Sequence, residues 1–197
     1  MSLYYPGCVQ MPGPTHKVWP EENSCDGVIL HSAEGYRAGL ESQLRDAEVS
    51  WHFTVYQDGT VEQHYPLTAS CWHAGSKASN VRLIGVEHEG VAGEPLTAAQ
   101  LLASVALVRW LQSECGWGQL ARGVNLYEHR EVNSGTNCPS GRIPWERYTA
   151  PADRFTKDDA ITLFRYAIGG NGIAPGVTVT ALPRSPQGNR VFNVEMP

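Results

Sequence analysis

Apolar and polar positions alternate in blocks along the chain, and each block predicts an element. Asp26 opens a short apolar run, Gly27-Val28-Ile29-Leu30, that stops at His31-Ser32, the pattern of a strand buried on both faces. Gly39 to Asp46 predicts a short helix. From Trp51 to Tyr56 the pattern has period two: Trp51, Phe53 and Val55 point one way, His52, Thr54 and Tyr56 the other. Asp58-Gly59 follows, and Thr60 to Tyr65 alternates again, so these segments predict a hairpin whose turn needs positive φ. Leu83 to Glu89 predicts another strand, with Ile84 and Val86 on one face and Gly85 and Glu87 on the other. Thr97 to Glu114 predicts a long helix. Thr97 and Gln100 have capping-box spacing, Leu101, Val105 and Val108 form a stripe broadened by Leu102 and Leu111, and Gly116 lies near the end.

The remainder is less periodic. Residues 1–24 hold several prolines and predict an extended lead-in. Val124 to Tyr127 is strand-like, and Glu128 to Arg142 is a polar loop. Thr156 with Asp159 opens a second predicted helix, with Ile161, Phe164 and Ile168 on one side, broken at Gly169-Gly170-Asn171-Gly172. Val177 to Leu182 and Arg190 to Val194 predict a terminal hairpin or a contact surface. Strand, hairpin, strand and long helix imply an α/β fold, a mixed central sheet flanked by helices. The expected organisation is a lead-in over 1–25, one domain over 26–150 and a C-terminal extension of unknown role over 151–197. No internal repeat or low-complexity tract is present.

Composition narrows the partners. The 197 residues are 42% hydrophobic and 18% charged, a globular balance, and the net charge of −5 gives no attraction to nucleic acid. No stretch reaches the ~20 apolar residues that span a bilayer. The start, Met-Ser-Leu-Tyr-Tyr-Pro-Gly, lacks the basic and apolar regions of a secretory signal, so none is expected. The five cysteines, Cys8, Cys25, Cys71, Cys115 and Cys138, have no CxxC spacing, and their odd number leaves one unpaired. Cys8 and Cys25 are candidates to bridge the lead-in; buried free thiols in a reducing compartment are the competing reading.

Candidate chemistry centres on the histidines. His31 ends the buried strand, and His129 and Cys138 bracket a loop of small and polar residues. Two histidines and one thiolate form a three-ligand zinc set with a fourth position open to water. Spacing alone is a weak signal, because the two histidines lie far apart.

Five segments, in order, resemble the type-2 N-acetylmuramoyl-L-alanine amidases, a family of phage endolysins, wall-recycling enzymes and peptidoglycan recognition proteins. They are Val28-Ile29-Leu30-His31-Ser32; Ser50 to Val61 around the Asp58-Gly59 turn; Cys71-Trp72-His73-Ala74-Gly75; Asn80 with Ile84-Gly85-Val86-Glu87; and His129 with Thr136-Asn137-Cys138-Pro139. Arg142-Ile143-Pro144-Trp145 then resembles endolysin-like members, in which a last short helix begins there. The resemblance spans residues 26–148. It implies the peptidoglycan recognition protein-like fold and hydrolysis of the amide between the lactyl group of N-acetylmuramic acid and L-alanine in bacterial peptidoglycan.

The resemblance implies His31, His129 and Cys138 as ligands of one Zn2+ per chain. It implies Glu87 as the proton carrier, with Glu89 second, and Thr136 as a donor to the oxyanion. His73, Trp51 and Asn80 are the expected substrate-groove positions, although His73 equally suits a structural hydrogen bond in the turn, Asn80 a turn-fixing role and Trp72 the core. Two positions depart from many hydrolytic relatives: Trp51 replaces a tyrosine, and Thr136 replaces a lysine. An indole only donates a hydrogen bond, and threonine carries no charge. Arg130, beside His129, is a candidate source of that charge. The expected setting is a phage or prophage endolysin, made in the cytoplasm and reaching the wall after holin-type release. The alternatives are a non-catalytic peptidoglycan-binding module and a cytoplasmic muropeptide-recycling amidase.

Overall fold

The computed structural model describes residues 3–6, 8–150, 178–182 and 191–195, and the chain divides into a unit over Met1–Thr149 and a second over Ala150–Pro197. In the second unit, Thr178–Leu182 and Val191–Glu195 pair as an antiparallel hairpin. The helix predicted from Thr156 lies outside the described residues.

The first unit is built on six strands: β1 (Val9–Gln10), β3 (Gly27–Ser32), β4 (Phe53–Val55), β5 (Val61–Gln63), β7 (Leu83–His88) and β8 (Leu126–Glu128). Their order is β1-β5-β4-β7-β3-β8, antiparallel only between β4 and β5. Helix α3 (Ala98–Glu114) packs on one face, where Leu107, Val108 and Leu111 meet Val28, Leu30, Phe53, Val55, Ile84 and Val86. The opposite face carries Ile29 and His31 of β3, and Gly85 and Glu87 of β7, which stand side by side in the parallel register. Helix α1 (Arg37–Asp46) covers part of this face, with Leu40 and Leu44 packed on Trp51, Tyr56 and Tyr65. The site therefore lies on the face that α3 leaves free.

Several expectations change in detail. The Asp58-Gly59 turn is a three-residue loop closed by Tyr56 and Thr60, and of its residues Gly59 takes the positive φ, +77°. The alternation of the first hairpin strand starts at Phe53. Trp51 leaves the Phe53–Val55 face and packs beneath α1, where its indole N–H donates to Thr54 Oγ1 at 2.8 Å. The capping box of α3 is half formed: Thr97 accepts from the Gln100 N–H, but the Gln100 amide turns inward to the carbonyls of Val55 and Glu89. The buried stripe of α3 is accordingly rotated, and Leu101 and Val105 are only half-buried.

The lead-in is part of this unit. Beyond β1, it supplies β2 (Val18–Trp19), which pairs with β6 (Ser70–Cys71). Its Lys17 is buried, and Nζ donates to the carbonyls of Leu44, Arg45 and Ala47, which α1 leaves unpaired at its C-terminus. All five thiols are free. The Cys8–Cys25 bridge does not form: Cys8 donates to Tyr5, while Cys25 sits in the core against Cys115.

Candidate metal centre

Three elements bring distant residues to one point. His31 is the fifth residue of β3, at the carboxyl end of a fully buried strand. His129 opens the short helix α4 (His129–Val132), whose start is fixed by a reciprocal capping box between Glu128 and Glu131. Buried Glu128 also accepts from the Trp145 indole at 2.9 Å. Cys138 returns beside His129 because its carbonyl accepts from the Arg130 N–H at 3.0 Å. The donor atoms of His31, His129 and Cys138 lie within 4.8 Å of one another, and among the described residues the group closes at three.

The environment of these atoms suits a cation. His129 Nε2 is buried and has no hydrogen-bond partner. Burial holds the His31 imidazole well below its usual range and lowers that of His129, so both offer neutral lone pairs at pH 7. Burial, with Glu87 nearby, pushes the Cys138 thiol up to about 12 when no cation is bound. Cys138 Sγ accepts from the Ser32 N–H at 3.2 Å and lies 3.7 Å from His31 Nδ1. An orphaned imidazole nitrogen and a thiol held by a backbone donor fit the borderline-soft ligand chemistry of zinc.

Glu87 is next to this group. Its Oε1 lies 3.8 Å from His31 Nδ1, its side chain is 15% exposed, and Oε2 is buried without a partner. Burial raises its pKa to about 8, opposed by Arg142 and reinforced by Glu34. Glu89 differs. Both its oxygens are taken, Oε1 by the Arg37 N–H and Oε2 by the Gln57 N–H, each at 2.8 Å, so it ties α1 to the hairpin loop. Of the two carboxyls, Glu87 alone has an oxygen available beside the donors.

The other expected site residues separate. Thr136 is half-buried next to Cys138, where Oγ1 accepts from the Cys138 N–H at 3.1 Å and keeps its own proton to donate. Arg130 pairs with Glu128 and is not a free charge. Trp51 lines a cavity of about 380 Å³ with Leu40, Leu44 and His64, which none of the donor residues lines. His52 is fully buried and bonded to Ala69 and Gly85. His73 is buried with both ring nitrogens occupied.

Asn80, the last residue of the short helix α2 (Lys77–Asn80), is likewise buried, and Oδ1 accepts from the N–H groups of His73 at 3.1 Å and Ala74 at 2.8 Å. Asn80→Ala leaves two buried donors unpaired. It is expected to lower stability by ~2–4 kcal/mol, read as a shift in the urea midpoint at unchanged slope. A loss under ~0.5 kcal/mol would show that the turn does not depend on this side chain.

Arg142 was missed by its chemistry, although its segment stood out. Buried Arg142 donates to Ser32 Oγ at 2.9 Å and to the carbonyls of His88, Glu89 and Glu94, which locks the loop after Cys138 onto the end of β7. The resemblance of the Arg142-Ile143-Pro144-Trp145 segment marked a helix start, and α5 (Trp145–Thr149) begins there, but burial of the guanidinium has no signature in sequence.

A mixed α/β unit with two donors at the carboxyl ends of parallel strands and a third from the loop that follows has the ligand count of catalytic rather than structural zinc sites. Residues 21–141, more than half of the chain, match the family model described as N-acetylmuramoyl-L-alanine amidase, and the chain belongs to that family. The N-acetylmuramoyl-L-alanine amidase XlyA of Bacillus subtilis (strain 168) is 25% identical over 173 residues, 80% of this chain and 50% of that protein. The chain thus spans about half the length of this curated relative. The solved catalytic domain of XlyA aligns with a TM-score of 0.58 and 25% identity, covering 73% of this chain and 97% of that one. The endolysin N-acetylmuramoyl-L-alanine amidase LysCS from Clostridium intestinale URNW aligns with a TM-score of 0.57 at 21% identity, covering 75% and 96%.

Proposed function

We propose that this protein is a zinc-dependent N-acetylmuramoyl-L-alanine amidase that cleaves the amide joining the lactyl group of N-acetylmuramic acid to L-alanine in bacterial peptidoglycan. One observation carries the reading: the His31, His129 and Cys138 donors converge beside a buried carboxyl, Glu87, that has a free oxygen. Family membership and the XlyA similarity supply the substrate class. We place the protein in host lysis as a phage or prophage endolysin that meets the wall after release from the cytoplasm, in keeping with its likeness in fold to solved endolysins.

In this reading His31, His129 and Cys138 hold the ion. Bound there, zinc supplies Lewis acidity, lowering the pKa of water toward ~7 and polarising the scissile carbonyl. Glu87 takes the proton of the attacking water on its free oxygen and returns it to the departing L-alanine nitrogen. The Thr136 hydroxyl donates to the oxygen that gains charge as the carbonyl carbon becomes tetrahedral. Arg142 and Ser32 hold the Cys138 loop in register, so the thiolate stays oriented without touching substrate.

The test counts zinc in protein never exposed to chelator and follows new L-alanine amino termini on purified walls of both common stem types. About one zinc per chain and new termini are expected, and Cys138→Ala is expected to lose both metal and cleavage. Zinc without cleavage of either wall would point to a peptidoglycan-binding module. Absence of zinc would defeat the reading and leave the fold.

A further inference from the structure

Two hydrogen bonds in series run from the sheet into the donor group. His73 Nε2 lies 3.1 Å from the Leu83 carbonyl oxygen, which only accepts, so this nitrogen carries the proton. A neutral imidazole has one N–H, which leaves His73 Nδ1 as an acceptor. That atom lies 3.1 Å from His31 Nε2, which must therefore be the donor. His31 is held with its proton on Nε2, and Nδ1 keeps its lone pair toward Cys138 Sγ, 3.7 Å away. Exposures of 1% for His31 and 8% for His73 keep the two rings neutral.

The same turn serves the second imidazole. The Ala74 backbone opposes the effect of burial on the His129 imidazole, and His129 Nε2, buried without a partner, is left for the ion. Asn80 fixes the N–H groups of both turn residues. Gly85 gives the His73 ring its place, because a Cβ there would stand 2.6 Å from the ring. The Cys71–Gly75 segment is thus a cradle behind two of the three donors, and its histidine has no ring nitrogen left for substrate.

We propose that His73 is a positioning residue for the metal, selecting the His31 tautomer that presents Nδ1 to the ion. Without it, the two tautomers of His31 compete, and part of the binding free energy goes to selecting one. The inference rests on the zinc reading above, and it adds a residue that touches neither ion nor substrate.

Long-range 1H–15N correlation on metal-free, 15N-labelled protein reads each ring nitrogen directly. His31 is expected with Nε2 protonated and Nδ1 bare, and His73 with the same pattern; a His31 protonated on Nδ1 would overturn the proposal without any variant. Chelator competition then measures zinc affinity. His73→Phe fills the space but removes the acceptor, and is expected to weaken zinc ~10–100-fold, while His73→Asn, which offers an oxygen near the Nδ1 position, recovers most of the loss. Equal affinity in wild type and His73→Phe overturns this proposal alone. Failure of the wild type to bind zinc overturns the donor-group reading and this inference with it.

Discussion

Glu87→Gln is expected to keep its zinc and to lose ~10²–10⁴-fold in the rate at which L-alanine termini appear. The argument is geometric before it is electrostatic. Glu87 faces the same side of β7 as Gly85 and pairs in register with His31, so its carboxyl is delivered beside the donors by the sheet itself. One oxygen is 3.8 Å from His31 Nδ1 and the other is buried without a partner. Burial raises its pKa to about 8 with no cation bound, and a cation held by the donors would lower it, leaving a carboxylate ready to take a proton. Glutamine has the same shape and cannot carry the proton, so packing and metal content should persist while turnover fails. The control is Glu89→Gln, in which a carboxylate that accepts two backbone N–H groups loses part of that function; stability should fall with little change in turnover per folded molecule. If Glu87→Gln retained more than about a tenth of the wild-type rate, the proton carrier would have to be sought elsewhere.

How much of this was legible in sequence depends on how local each cause is. Strands β3 and β7, the β4–β5 hairpin and α3 follow from periodicity, because burial of one or both faces imposes it directly. His31, His129, Cys138 and Glu87 stood out through ordered motifs, and the fold brings all four to one place. What was hidden depends on long-range contact. Two-residue strands such as β1 and β2 leave no period to read, so the lead-in looked independent of the sheet it joins. Lys17 looks like any surface lysine until the end of α1 arrives above it. Gln100 has the spacing of a capping residue, but two interior carbonyls, those of Val55 and Glu89, compete more strongly for its amide than the helix end does. His73 stayed open between a groove and a turn role because motifs locate a side chain without saying where its nitrogens point.

Acid should unfold this protein well above the carboxylate range, and buried neutral histidines outside the donor group supply the reason, His64 and His52 among them. His64 donates through Nδ1 to the Met11 carbonyl and accepts at Nε2 from Thr54, whose oxygen also takes the Trp51 indole N–H. His52 donates to Ala69 and accepts from the Gly85 N–H. Each is neutral, with one nitrogen required as an acceptor, and burial lowers each pKa from 6.5 to about 4. The unfolded chain takes up these protons near pH 6.5 and the folded one near pH 4, so between those values the unfolded state binds more of them. Stability is therefore fully present above pH 6.5 and falls as pH drops, by up to ~3 kcal/mol for each ring. Against a total of ~5–15 kcal/mol, two such losses are large. Urea titrations from pH 7 to 4.5 should show stability falling by ~1–3 kcal/mol per pH unit, beginning above pH 5 where carboxylates are still ionised. His64→Gln should be less stable at pH 7 and should show a slope smaller by about one proton. A flat profile between pH 6.5 and 5 would show that these rings accept protons inside the fold. The lead-in would then be held by packing and by Lys17, not by the Trp51–Thr54–His64 chain.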